Sequence, residues 1–214
     1  GTIIEEPFII HKEGNRTERR EKVNQLLKKV GLPESAAGRY PFEFSGGQRQ
    51  RIGIARSIAL NPKFIVCDEP VSALDVSVQS QVLNLMLDLQ QDLGLSYLFI
   101  AHDLAVVKHV SDRIAIMYLG KIVELGQADE IYRNPRHAYT RALISAIPVP
   151  DPTVKKEKAI LEGDVPSPIN PPPGCAFGHR AQHPRYEESI DQEIKLTEVT
   201  SGHWVAKCPC CVND

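Results

Sequence analysis

The sequence predicts an α/β fold, on three observations. Residues 64–67 and 97–101 are short continuous apolar runs of the kind buried in a parallel sheet, a long amphipathic segment separates them, and strand and helix patterns alternate through the middle of the chain. At 214 residues there is room for one full core and an appendage. Hydrophobic residues make up 42% and charged residues 24%, which excludes collagen-like, mucin-like and wholly disordered classes. With 25 Lys and Arg against 27 Asp and Glu, no global basic field exists to hold nucleic acid or anionic lipid. No apolar run reaches the roughly 18 residues needed to cross a bilayer, and the first residues lack a secretory signal. The 5 Cys are an odd number, and Cys67 lies inside an apolar run, so a disulfide framework is not expected. The chain opens with Gly, and its Met residues are Met86 and Met117, as expected of a piece of something longer.

The elements follow in order. After Pro7 and the turn residues Gly14 and Asn15, segment 17–30 places Val23, Leu26, Leu27 and Val30 at helical spacing, and Gly31 and Pro33 end it. A Gly/Pro-rich break at 38–44 leads to Ser45-Gly46-Gly47, which opens a second helix through Leu60. Asn61-Pro62 closes that helix before strand 64–67, which delivers Asp68 and Glu69 to its C-terminal end. Val78, Val82, Leu85, Leu89 and Leu93 define a long helix that stops at Gly94, and strand 97–101 ends in His102. A short helix at 104–109, a strand at 114–119, a hairpin through Gly120-Lys121 and a helical stretch at 129–147 broken near Pro135 complete this part. Residues 148–173 read as a boundary and linker, and the rest as an irregular extension. The predicted domains are therefore 1–148, divided into a helical segment 1–60 and a segment 61–148, followed by 149–214.

Ligands bind at the carboxyl edge of open parallel sheets, where the sequence puts Asp68 and Glu69. An Asp there suits Mg²⁺ held through water beside nucleotide phosphates, and a neighbouring Glu can activate an attacking water. The two Gly residues after Ser45 let backbone N–H groups at a helix start approach an oxyanion. His102 emerges at the same edge as Asp68 and can position water or touch a phosphate. Taken singly, each feature has a plain alternative: solvated strand-end acids, a Ser helix cap, a structural His, and an Asp75 that caps the helix from Val76.

Taken in order, Phe44-Ser45-Gly46-Gly47-Gln48, then Phe64-Ile65-Val66-Cys67-Asp68-Glu69, then Ser72-Ala73-Leu74-Asp75, then His102, the series resembles the signature motif, Walker B, D-loop and switch histidine of the ATP-binding-cassette ATPases. Asn134 to Leu143, Ala146-Ile147-Pro148 and Pro172-Pro173-Gly174-Cys175-Ala176-Phe177 look like the C-terminal extension of oligopeptide/dipeptide importer ATPase subunits. The resemblance implies a P-loop NTPase-type sheet, here partial, with a helical signature subdomain. It implies ATP and Mg²⁺ as cofactors, with Glu69 and His102 catalytic and Asp68 holding Mg²⁺ through water. Ser45, Gly46, Gly47 and Gln48 would contact ATP held by an opposite subunit, and Asp75 would link the two sites. The implied partners are a second nucleotide-binding subunit in a homo- or heterodimer, two membrane permease subunits and, indirectly, a solute-binding protein, with no nucleic acid. The implied location is peripheral, on the cytoplasmic face of the plasma (inner) membrane.

The chain departs from that pattern in one respect that sets its chemistry. A P-loop requires Gly-x-x-x-x-Gly-Lys-Ser/Thr, and the one Gly-Lys pair, Gly120-Lys121, is followed by Ile122 and has Ala115 five positions before Gly120. The resemblance thus starts partway through the family's domain. The chain alone is expected to bind ATP poorly and to hydrolyse it negligibly, and strands 64–67 and 97–101 are expected to expose apolar edges and favour aggregation. Cys175, Cys208, Cys210 and Cys211 are enough for a zinc or iron–sulfur site, alongside a metal-free thiol tail. Ala181 stands where cluster-bearing relatives show Cys, and adjacent Cys210 and Cys211 are awkward joint ligands. Two other functions compete with the importer subunit: a catalytically incompetent module that lends its signature motif to a complete partner, and a soluble cassette ATPase of translation or DNA repair.

Overall fold

The computed structural model describes residues 1–147 and 164–212. It forms two compact units, Gly1–His102 and Asp103–Asp214. The domain boundary read from sequence at 148/149 lies outside the described residues.

In the first unit, α1 (Thr2–Ile10) and α2 (Arg16–Lys29) pack with α3 (Gly46–Ser57). The sequence pattern assigns no element before residue 17. Pro7 is instead inside α1, where buried Ile4 and Phe8, one turn apart, outweigh one missing backbone hydrogen bond. Asn15 starts α2 through a capping box: its side chain accepts from Thr17 and Glu18 N–H, and Glu18 accepts from Asn15 N–H. Two short 3₁₀ turns, Glu34–Gly38 and Pro41–Glu43, fill the Gly/Pro-rich break.

Strand β1 (Phe64–Asp68), helix α4 (Val76–Leu93) and strand β2 (Ser96–Ile100) form a β-α-β unit with a parallel β1–β2 pair, Asp68 standing opposite Ile100. Gly94 ends α4 in the left-handed conformation. Tyr97 Oη donates to the Met86 carbonyl of α4 at 3.1 Å, and burial raises the Tyr97 phenol to about 12. The pair departs from the doubly buried strands that the apolar runs predict. Cys67 is buried, yet Phe64, Val66, Leu98 and Ile100 are exposed together on the other face. An apolar run records hydrophobicity on both faces, whereas burial depends on a neighbour that a run of residues does not specify.

The second unit contains α5 (Leu104–Val110), β3 (Arg113–Tyr118), β4 (Lys121–Gln127), α6 (Ala128–Arg133), α7 (Ala138–Ser145), α8 (Ala176–Arg180), β5 (Leu196–Thr200) and β6 (His203–Ala206). Leu119 and Gly120 both have positive φ, the geometry of a two-residue hairpin turn between β3 and β4. The extension is more ordered than its irregular reading: β5 and β6 form a hairpin that joins β4 in a four-stranded antiparallel sheet of order β3-β4-β6-β5. Its core gathers Ile114, Ile116, Ile131, Phe177, Val205 and the tail thiols. Among the described residues, no helix is long and apolar enough to cross a membrane.

Candidate functional site

The carboxyl end of the parallel pair brings Asp68, Glu69 and His102 together. The Glu69 N–H donates to the Ile100 carbonyl at 2.9 Å, which extends the strand pairing by one residue. Glu69 then takes φ +45°, a left-handed conformation that costs a non-glycine residue on the order of 1–3 kcal/mol. Its Oε1 lies 3.0 Å from His102 Nδ1. An ionised carboxylate can only accept, so Nδ1 carries the proton and donates, leaving Nε2 as the second polar atom of the ring. Both side chains remain substantially open to solvent. Beyond Glu69, its carbonyl accepts from Ser72 N–H and Ser72 Oγ, which turns the chain toward α4.

The second group is the start of α3. Ser45 Oγ accepts from Gln48 N–H at 3.3 Å and Gln48 Oε1 accepts from Ser45 N–H at 3.0 Å, a capping box. The Ser45 hydroxyl proton and the first-turn N–H groups of Gly46 and Gly47 are still available to an anion. The turn sits against the start of α4. A Cβ on Gly46 would lie 3.2 Å from Leu74 Cδ2, and one on Gly47 would collide with Val78 Cγ1. Gly47→Ala should therefore destabilise the fold by about 1–3 kcal/mol, and Val78→Ala should recover part of that loss in a double-mutant cycle of denaturant unfolding. Asp75 occupies the N-cap position of α4, but its side chain makes no capping hydrogen bond, contrary to the plain-cap alternative. Among the described residues, no hydrogen bond joins Ser45–Gln48 to Asp68, Glu69 or His102.

In the second unit the tail thiols form a buried nest. Cys175 Sγ lies 3.2 Å from Cys208 Sγ and 3.3 Å from Cys211 Sγ, and the Gly178 N–H donates to Cys175 Sγ at 3.2 Å. Hydrogen bonding to Cys175 and Cys211, with His137 and the Cys210 N–H added, holds Cys208 far below the usual thiol range. The bond to Cys208 pushes Cys175 up to about 12, and Cys211 is raised by its bonds to Cys175 and Cys208. Lone Cys67 behaves as the small hydrophobe that its apolar run predicts, with burial raising it to about 11.

Sequence reasoning missed the polar core beside this nest. Glu124 is fully buried on β4, where Oε1 accepts from Arg136 N–H at 2.7 Å and lies 2.7 Å from His203 Nε2, while Oε2 accepts from His137 N–H at 2.9 Å. His203 Nδ1 is 3.8 Å from Glu130 Oε1 and has no hydrogen-bond partner. A Glu in a strand of mixed polarity gives no local sign of burial. His137 lies in the segment that resembles importer extensions, but its buried partners are distant in sequence.

Residues 2–72 match the family model described as ABC transporter, and residues 123–186 match the one described as oligopeptide/dipeptide transporter, C-terminal region. The oligopeptide transport ATP-binding protein OppF of Escherichia coli (strain K12) is 61% identical over 183 residues, covering 84% of this chain and 55% of OppF. The oligopeptide transport ATP-binding protein AppF of Bacillus subtilis (strain 168) is 54% identical over 209 residues, covering 96% of this chain and 63% of AppF. Thus the chain spans between half and two thirds of the length of these curated relatives. A metal-chelate type ABC transporter solved in an inward-facing conformation aligns with TM-score 0.58 and 28% identity, over 68% of this chain and 57% of that one. The chain belongs to the ABC transporter ATP-binding proteins, in the group that carries the oligopeptide/dipeptide transporter C-terminal region.

Proposed function

We propose that this chain forms part of the ATP-hydrolysing subunit of an importer for peptides or related small solutes. The observation that carries the reading is the Glu69–His102 contact at the carboxyl end of the parallel pair, directly after Asp68. His102 holds the Glu69 carboxylate at a defined place, and the carboxylate can take a proton from a water attacking a terminal phosphate. The donor set suits Mg·ATP: Asp68 offers a hard oxygen to Mg²⁺ through water, and the Ser45 turn offers N–H groups to phosphate. When bound, Mg²⁺ neutralises charge on the phosphates. In the proposed composite arrangement, the Ser45 turn and Asp75 serve nucleotide on a second subunit. The intact Glu69–His102 pair weighs against a catalytically incompetent module, and the formal charge of -2 weighs against a nucleic-acid-bound ATPase.

These residues include no P-loop, so the reading requires a phosphate grip that the 214 residues do not supply. The proposed assembly pairs two nucleotide-binding subunits beneath two permease subunits at the cytoplasmic membrane face, with a solute-binding protein delivering cargo. The test compares the purified chain with the assembled transporter in proteoliposomes. The chain alone should turn over no Mg·ATP above background, and the assembly should hydrolyse ATP in step with peptide uptake. Robust turnover by the chain alone, or an assembly whose turnover ignores peptide, would overturn the reading.

The thiol nest supports a second reading, a bound soft metal, either zinc or iron–sulfur, at Cys175, Cys208, Cys210 and Cys211. It rests on the burial and close approach of these thiols.

A further inference from the structure

The loop between Glu69 and α4 is fastened at more than one point. Glu69 is held on its amide side by the Ile100 carbonyl at 2.9 Å, and its own carbonyl accepts from Ser72 N–H and Oγ at 3.3 and 3.1 Å. Two residues on, the carbonyl of buried Val71 accepts twice, from the Leu74 N–H at 3.1 Å and from the side-chain amide of Gln79 at 3.0 Å. Gln79 stands in the first turns of α4, so its Nε2 reaches back and ties the helix to the loop that leaves Glu69. We infer that Gln79 is a positioning residue for the proposed ATPase reaction: its amide holds the 69–75 loop, and through it the Glu69 carboxylate, in working geometry. This rests on the reading of Glu69 as the general base.

A glutamine is not what the helix pattern asks for at this place. Val82 and Leu83, one turn further along α4, are both buried, so position 79 is on the core-facing side, where an apolar side chain would be ordinary. A polar side chain there is explained by what it bonds to, and a carbonyl can be met only by a donor. Glu cannot take over the task, because its carboxylate only accepts and would face the Val71 oxygen. The usual fastening between a loop and the helix it enters is a side-chain cap, and Asp75 makes no capping hydrogen bond. The Gln79 amide supplies the fastening one turn later, so the Asp75 carboxylate is not committed to the helix start.

The left-handed backbone of Glu69 makes that fastening matter. A φ of +45° persists in a non-glycine residue only where its surroundings over-determine it. Pro70 brings no N–H to the loop, so the bonds at Ser72 and Val71 carry the task. A loop slackened at Val71 lets the Glu69 backbone relax and carries Oε1 away from its 3.0 Å contact with His102 Nδ1. A displacement of about 1 Å at a reacting group can cost about 10²-fold in rate.

The test measures kcat and KM for ATP on the assembled transporter in proteoliposomes, with Gln79→Glu, Gln79→Met and Gln79→Lys each placed in the wild-type and Glu69→Gln backgrounds. Gln79→Glu and Gln79→Met should lower kcat about tenfold and change KM less than about twofold, because placement is lost and nucleotide binding is not. Met is a good helix former of similar size, so it keeps the fold and removes the donor alone. Gln79→Lys keeps N–H donors on a side chain long enough to reach Val71 and should recover most of the rate. Once Glu69→Gln has removed the base, Gln79→Met should cost less than about twofold more. Wild-type kcat in Gln79→Met beside a collapsed Glu69→Gln would overturn the positioning role and leave the base reading standing. A raised KM at unchanged kcat, or a further loss of about tenfold in the Glu69→Gln background, would do the same. Undiminished turnover in Glu69→Gln would instead remove the base reading, and the role of Gln79 with it.

Discussion

Glu69→Gln should lower ATP turnover by the assembled transporter by about 10²–10⁴-fold, the usual contribution of a general base, while nucleotide binding is retained. The amide preserves shape and can still accept a hydrogen bond from His102 Nδ1, but its basicity is lost. The two roles of the side chain, shaping the loop and taking a proton, are thereby separated. The left-handed backbone at Glu69 strengthens the argument, because that strain persists in Gln and the substitution leaves the local conformation unchanged. Turnover measured beside nucleotide affinity checks it. Unchanged turnover would remove the base role from Glu69, and a parallel loss of affinity would point to a disrupted site.

The second large effect is structural. Glu124→Ala should cost about 3–5 kcal/mol, because it removes one side of a buried pair and leaves polar partners without an acceptor. Those partners are His203 Nε2 and the backbone N–H groups of Arg136 and His137, which tie β6 and the start of α7 to β4. Glu124→Gln retains two acceptor lone pairs and should lose less. Pairing Glu124→Leu with His203→Leu should cost less than Glu124→Leu alone, since an apolar pair leaves no stranded imidazole. Denaturant unfolding monitored at Trp204, on the strand beside β4, gives the comparison. Equal stability of Glu124→Ala and wild type would mean that the network contributes nothing.

The parts of this protein legible in its sequence are those fixed by local chemistry. Ser45 announces a helix start, Gly94 announces a helix end, and the apolar runs ending in Asp68 and His102 put both residues on one sheet edge. Structure decided at a distance was not legible. Pro7 gives no sign of the helix around it until Ile4 and Phe8 are seen to be buried. Segments 196–200 and 203–206 are short and laced with polar residues, and they become strands by pairing with each other and with β4, as in the Glu124–Val205 register. Counting thiols gives a possible ligand set, but only the fold puts Cys175 in contact with Cys208 and Cys211.

The bare side of the β1–β2 pair sets how the 214-residue chain behaves in solution. Phe64, Val66, Leu98 and Ile100 form a sticky surface that favours self-association until something covers it. Charge placed at Val66 and Leu98 should therefore keep a concentrated sample monomeric.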